Sequence, residues 1–285
     1  MTDRSPDGLL NEARGWWHTD IIDVRPGEID LRGYPIQELI GRVSFVDTIW
    51  LMIQGELPTP AQASLLEAAL VASVDHGPQA PSIAIARMAT TCGARINGAM
   101  ASAINVLDDV HGGPGQQCME LYREIDAEAG ATTDLAEATR IVLARRRDAG
   151  ERYVPGFGHR WHPIDPRTER LLSLVDSAAR DGAVAGRFAA IGRAVEVALN
   201  EAKSKPIPMN IDGVTAVIYC ELGLTPELGR GVFILSRSVG ILAHAHEQIQ
   251  QGGRIKGPTP KSIGYTYTGP ARRSVPDQRG EGWSK

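Results

Sequence analysis

SIAIARMATTCGARINGAMASAINVL, residues 82–107, places Ile83, Ile85, Met88, Ile96, Met100, Ile104 and Leu107 among many alanines. Steps of three and four residues put such side chains on one face of an α-helix, and the small residues between them let neighbouring helices pack closely. The spacing predicts one central helix across the whole stretch. The same period recurs on both sides of it. Before it come Phe45, Ile49, Leu51 and Met52, then Leu65, Leu66, Ala69 and Leu70 behind a Thr59-Pro60 start. After it, Asp165-Pro166 leads into Leu171, Leu172, Leu174 and Val175, and Thr225-Pro226 leads into Val232, Phe233, Leu235, Val239 and Leu242. A capping residue followed by proline is a strong helix start, because proline occupies a position whose N–H has no intrahelical partner. Helix is therefore expected from residue 36 onward, and the fold class is all-α.

Only residues 16–34 read differently, as short extended pieces around Pro26-Gly27 that form a small hairpin. The charged run Glu120–Asp148 is expected to be an exposed helix pair broken at Gly130-Ala131-Thr132-Thr133, with Arg145–Arg147 as solvated surface. Gly252–Lys285, rich in Gly, Pro, Arg and Ser, reads as an arm that orders against something else.

The 285 residues allow one large core or two unequal domains. Thirty Lys and Arg against 34 Asp and Glu give a formal charge of −4, so no global field recruits nucleic acid or acidic membrane. No run reaches the roughly 20 apolar residues that span a bilayer, and the first residues lack a secretory core, so a cytoplasmic location is expected. Cys92, Cys118 and Cys220 show no paired spacing and are expected as buried thiols rather than a disulfide or zinc set. Trp16, Trp17 and Trp50 are expected as core or dimer contacts.

Three segments stand out in a chain with seven histidines: Asp108-Asp109-Val110-His111-Gly112-Gly113, Pro155-Gly156-Phe157-Gly158-His159-Arg160 and Met209-Asn210-Ile211-Asp212-Gly213. Each sets a polar side chain beside glycine, where backbone can approach a ligand closely. Two imidazoles and a carboxylate suit carbonyl chemistry, with one base at carbon and donors for the oxygens that gain charge. Asp212 could instead cap a helix starting near Val214. Arg237, set among Phe233, Leu235, Val239 and Leu242, needs a buried carboxylate or an anionic ligand. His162, His244 and His246 carry no clear reading. On residue types alone, His76, His111, His159 and Asp212 would also suit a hydrolytic metal centre, and an inactive binding partner of a CoA ligase is a third possibility.

Together with Gly33-Tyr34, Ser44-Phe45, Gly55-Glu56-Leu57-Pro58-Thr59, Asp75-His76-Gly77-Pro78, Asp165-Pro166-Arg167 and Ser236-Arg237-Ser238-Val239-Gly240 running on to His244, the order of these motifs resembles the citrate synthase superfamily, particularly its short citryl-CoA lyase branch. The resemblance implies an almost all-helical fold with a large domain (residues 1–112 and 213–285) and a small one (113–212). It implies a homodimer or higher homo-oligomer with the active site between the domains, and no metal or redox cofactor. It implies citryl-CoA interconverting with acetyl-CoA and oxaloacetate, with coenzyme A thioester as substrate; the alternative is a citrate or 2-methylcitrate synthase that also hydrolyses the intermediate. By the same resemblance Asp212 is the base, His111 the donor to the thioester oxygen and His159 the partner of the oxaloacetate carbonyl. His76, Arg167 and Arg237 bind the dicarboxylate, and Pro155, Gly156, Phe157 and Gly158 receive coenzyme A.

Three departures from the family pattern matter. The long insertion of full-length synthases is reduced to Pro60–Val74. The step from His159 to Arg167 is one residue short, which leaves Arg170 as a competitor. Arg254-Ile255-Lys256-Gly257-Pro258 does not present the arginine that synthases lend from the neighbouring subunit, so Lys256 or Arg254 is the expected substitute.

Overall fold

The computed structural model describes residues 7, 9, 10, 13, 15–132, 134–158, 164–201 and 205–274. Strands β1 (Ile22–Arg25), β2 (Glu28–Leu31) and β3 (Tyr34–Pro35) form the expected hairpin plus one short strand, antiparallel and in the order β1-β2-β3. Gly27, at φ +84°, makes the first turn.

Helix then dominates. It begins with α1 (Ile36–Leu39), α2 (Phe45–Gln54) and α3 (Pro60–Ser73). Ser44 with Asp47 and Thr59 with Gln62 close reciprocal capping boxes on α2 and α3. Stretch 82–107 is not one helix but two, α4 (Pro81–Thr91) and α5 (Ile96–Ile104). The break is Gly93, at φ +97°: its N–H reaches Thr90 O (3.1 Å) while the Ala94 N–H reaches Ala89 O (3.1 Å), a Schellman stop that the apolar period does not register.

The rest of the bundle is α6 (Pro114–Thr132), α7 (Leu135–Asp148), α8 (Pro166–Arg180), α9 (Arg187–Asn200), α10 (Ile211–Glu221) and α11 (Pro226–Gln251). The central helix is α10, whose residues from Gly213 to Cys220 are all buried. A helix apolar on every side has no solvent face to offer, so the others wrap it. Met119, Tyr122 and Ile125 of α6, Ile191 and Val195 of α9, and Val175 of α8 join its cluster. The α4–α5 pair packs a smaller cluster of Ile83, Ala86, Ala99 and Ala103 against Ile241 and Ala245 of α11.

The charged pair α6–α7 is exposed on one side only. Arg145 bridges Glu124 (3.2 Å) and Glu128 (2.6 Å), and Arg146 pairs with Glu124 (2.8 Å). Cys118 and Cys220 are buried as expected, whereas Cys92 is exposed at the α4 stop. Trp50 lies in the core, but Trp16 and Trp17 are 68% and 86% exposed. Residues 252–274 carry no helix or strand and stay exposed, tethered at Ile255 and Lys256 to Thr91. Among the described residues no helix is long and apolar enough to cross a membrane.

Candidate active site

Asp212 occupies the first turn of α10. It is not the cap, because Asn210 is: the Asn210 Oδ1 accepts the N–H groups of Asp212 (2.9 Å) and Gly213 (3.3 Å). That frees the Asp212 carboxylate, which takes no hydrogen bond from any described residue. Burial, with Asp165 adding repulsion, pushes its pKa above the usual carboxylate range against the opposing pull of Arg237 and Arg167.

The 155–158 turn is laced to the strand of chain leading into α10. Gly158 N–H donates to Pro208 O (2.7 Å), Asn210 N–H to Gly156 O (3.0 Å) and Asn210 Nδ2 to Gly158 O (2.6 Å). A Cβ on Gly156 would lie 2.6 Å from Cys118 Sγ and 2.7 Å from Gly213 Cα; one on Gly213 would lie 2.4 Å from Gly156 O. Gly113 is likewise pressed on the Asp109 backbone at 2.6 Å. The glycines thus let chain approach chain, where the sequence reading had them opening space for a ligand.

His111 is half-buried. Its Nε2 accepts the backbone N–H of Ser82 (3.1 Å) at the start of α4 and lies 3.0 Å from the Ser82 hydroxyl. A backbone N–H only donates, so the ring proton resides on Nδ1. Burial, then Arg237 and His76, lowers the His111 pKa and favours that neutral form. Arg230 pins the preceding residues, reaching Asp108 at 3.0 Å and Asp109 at 2.6 Å.

Arg237 is buried on α11, its Nε–H donating to Ser73 O (3.1 Å) and its guanidinium over the Phe233 ring at 5.0 Å. Burial lowers its pKa, with Asp75 and Asp212 opposing. Asp165, fully buried, accepts Arg167 Nε (2.9 Å) and Nη2 (2.8 Å) and also the N–H of Ile211 (3.1 Å), while Arg167 Nη1 reaches Ala72 O (3.2 Å). Three of five guanidinium N–H groups are used, and two have no partner among the described residues. Arg167 acts electrostatically on both Asp212 and Arg237; Arg170 shares only a separate groove of about 420 Å³ with it.

The structure therefore joins these groups in an electrostatic chain, His76 acting on His111, Arg237 on His111 and on Asp212, and Arg167 on Asp212 and Arg237. His159 lies outside the described residues. A cleft of about 710 Å³ opens beside Asp212, lined by Val110, Arg146, Tyr153, Pro155, Gly156 and Phe157, so three of the four residues expected at coenzyme A face it. Lys256 is held within its own chain at Gln248 (3.5 Å). Ser82, Asp165 and Asn210 were missed as parts of the site. The Asn-x-Asp pattern and the Asp-Pro-Arg run carried a signal for the last two, but nothing in the sequence marks Ser82 as the partner of a histidine 29 residues away.

A helical scaffold that carries these groups and opens a cleft beside Asp212 is that of the citrate synthase superfamily. The chain superposes on citryl-CoA lyase from Hydrogenobacter thermophilus with a TM-score of 0.79 and 29% identity, covering 91% of this chain and 97% of that one. The family description "Citrate synthase, C-terminal domain" matches residues 8–66 and 59–259. Citrate synthase from Haloferax volcanii is 30% identical over 207 residues (72% of this chain, 52% of that protein), and citrate synthase from Acidithiobacillus ferridurans 30% over 234 residues (79% and 55%). The chain belongs to the citrate synthase family. It spans about half the length of these curated relatives.

Proposed function

We propose that the chain cleaves citryl-CoA to acetyl-CoA and oxaloacetate, and runs the reverse condensation, through a thioester enolate. The observation that carries this reading is that Arg237 acts electrostatically on both His111, held as the Nδ1–H tautomer with that N–H free of described partners, and Asp212, a buried carboxylate of raised pKa beside the cleft. In the cleavage direction the tertiary hydroxyl gives up its proton, assigned by family position to His159. The carbon–carbon bond breaks as the new carbonyl of oxaloacetate forms. The electron pair passes into the thioester as an enolate whose oxygen accepts from His111, and Asp212 delivers its proton to the terminal carbon to complete the acetyl methyl. Arg237, Arg167 and His76 hold the dicarboxylate. The cleft beside Asp212 takes the thioester of coenzyme A, with Tyr153 to Phe157 as its wall.

Support for cleavage rather than synthesis comes from the fit to the citryl-CoA lyase chain, covered to 97% at a TM-score of 0.79, where a citrate synthase chain from Thermotoga maritima, also covered to 97%, superposes at 0.59. The same reading keeps a small domain at 113–212, with the cleft drawing Asp109 and Val110 from one side and Arg146, Tyr153 and Phe157 from the other. It also keeps a homodimer, for which the exposed apolar residues Leu235, Val239, Leu242 and Ile249 of α11 provide a face. The test is synthetic citryl-CoA with products read by mass spectrometry. Acetyl-CoA and oxaloacetate are expected; citrate and free CoA would make the protein a synthase, and intact substrate would overturn the proposal.

A further inference from the structure

One polar chain behind His76 is not used by the chemistry above. His76 stands at the tip of a turn in which the Asp75 carboxylate accepts the N–H of Gly77 (3.1 Å), with Gly77 at φ +83°. Asp75 Oδ2 also faces His244 Nε2 (3.2 Å) on α11, and His244 Nδ1 faces Arg87 Nη1 (3.0 Å) on α4. Arg87 is itself held by the Glu247 carboxylate and by Gln251 Oε1 (2.7 Å). Guanidinium has no acceptor, so the contact with Arg87 makes Nδ1 the acceptor and leaves the ring proton on Nε2, aimed at Asp75. The turn can come this close because Gly240, one helical turn before His244, has no side chain: a Cβ there would be 2.3 Å from Val74 O and 3.1 Å from Asp75 Oδ1. Arg237, two turns before His244, anchors the preceding residue through Ser73 O (3.1 Å). One face of α11 thus grips residues 73–75 at successive points.

We propose that His244 is a positioning residue for His76: locked by Arg87 as the Nε2–H tautomer, it fixes the Asp75 carboxylate and so the turn that presents His76 to the dicarboxylate. This rests on the reading of His76 as a substrate ligand. Losing a hydrogen bond to a charged group loosens the turn rather than the fold, because Asp75 keeps its Gly77 contact and stays reachable by water, being 38% exposed.

The experiment uses 15N-labelled wild-type protein, His244→Leu and His244→Gln. Long-range 1H–15N spectra of the wild type are expected to show His244 with the proton on Nε2 alone. His244→Leu is expected to shift and broaden the His76 ring signals. It should raise KM for citryl-CoA about tenfold or more while kcat changes by less than about threefold, the size of one lost charge-assisted hydrogen bond. His244→Gln places an amide N–H where Nε2–H was and should restore most of both readouts. A proton on His244 Nδ1, or His76 signals unmoved by His244→Leu, overturns the inference. So does an unchanged KM, or a glutamine variant as impaired as leucine. A wild type that leaves citryl-CoA untouched removes the functional reading alone, since the His76 spectra still decide whether His244 positions the turn.

Discussion

The backbone N–H of Ser82 donates to Nε2 of His111 across 3.1 Å, joining the first turn of α4 to a loop 29 residues further on. Protonating His111 would set two N–H groups against each other, in line with a pKa lowered by burial, Arg237 and His76. The folded value lies below the unfolded imidazole, near 6.5, so the unfolded chain binds more protons in between. This contribution to stability is complete above about pH 6.5 and is lost as pH falls through the folded value. NMR titration of the His111 ring should give a midpoint below 6.5, and His111→Gln should remove this part of the acid destabilisation in melts between pH 5 and 7. A midpoint above 6.5 would contradict the assigned tautomer.

Asp212 gives the opposite sign. A carboxyl with a raised folded pKa contributes stability that is full below its unfolded value and is lost as pH rises through the folded one. Above its folded pKa the ionised group is therefore a burden on the fold, kept for chemistry. Asp212→Asn should cut citryl-CoA turnover by about a thousandfold or more while leaving Tm unchanged or higher. A drop of several degrees with activity retained would assign Asp212 a structural role.

The segments that read as helix did so because caps and apolar period are local: Thr59-Pro60, Asp165-Pro166 and Thr225-Pro226 each start a helix. The split of 82–107 was legible only in hindsight, since one glycine stops a helix when the residues after it can close a Schellman pair. The identity of the central helix was not legible, because Val214 to Cys220 look no more buried in sequence than Ile83 to Leu107. At the site, residue types and motif order pointed to His111, Asp212, Arg237 and His76. What pairs with them is set by contacts of long sequence separation, such as Asp165 with Ile211, which no short pattern encodes.

Asp165 ties the start of α8, the side chain of Arg167 and the first N–H of α10 to one buried carboxylate. Burial would raise its pKa, but the side-chain and backbone N–H groups of Arg167, with Ile211, outweigh that and hold it below the usual range. Its contribution is present above the unfolded carboxylate value, near 3.9, and is lost as pH falls through the folded one. Asp165→Asn should cost about 3 kcal/mol in urea melts at pH 7, and the gap between variant and wild type should close below pH 4. It should also raise KM for citryl-CoA, because Arg167 and the helix carrying Asp212 both lose their tether.

Glu221, the last residue of α10, caps a different helix. Its carboxylate accepts the N–H groups of Gly186 (3.0 Å), Phe188 (2.6 Å) and Ala189 (3.2 Å) at the start of α9, where the capping glycine has no side chain to offer. Negative charge at that end also suits the helix dipole. Glu221→Ala should destabilise by about 2 kcal/mol with KM unchanged, as nothing in this contact reaches the cleft. Equal stability of wild type and variant in urea melts would show that the three N–H groups find other partners.

Gly213 tests whether the cleft tolerates any separation of its two walls. Alanine is favoured over glycine in a helix by about 1 kcal/mol, so on propensity alone Gly213→Ala would stabilise α10. Its Cβ, however, would lie 2.4 Å from Gly156 O and 2.6 Å from Met209 Cγ. The methionine can turn aside. The carbonyl cannot, because the 155–158 turn is tied back to residues 208–210 by three hydrogen bonds. Overpacking of this kind should dominate, giving a net loss of about 1–3 kcal/mol. Relief must come from moving the turn away from α10, which displaces the wall of the cleft relative to Asp212. Gly213→Ala should therefore lower kcat at least about tenfold, since misplacing reacting groups by an ångström has effects of that order or larger. Folded protein with wild-type kcat would mean that the close approach of Gly156 to Gly213 serves packing alone.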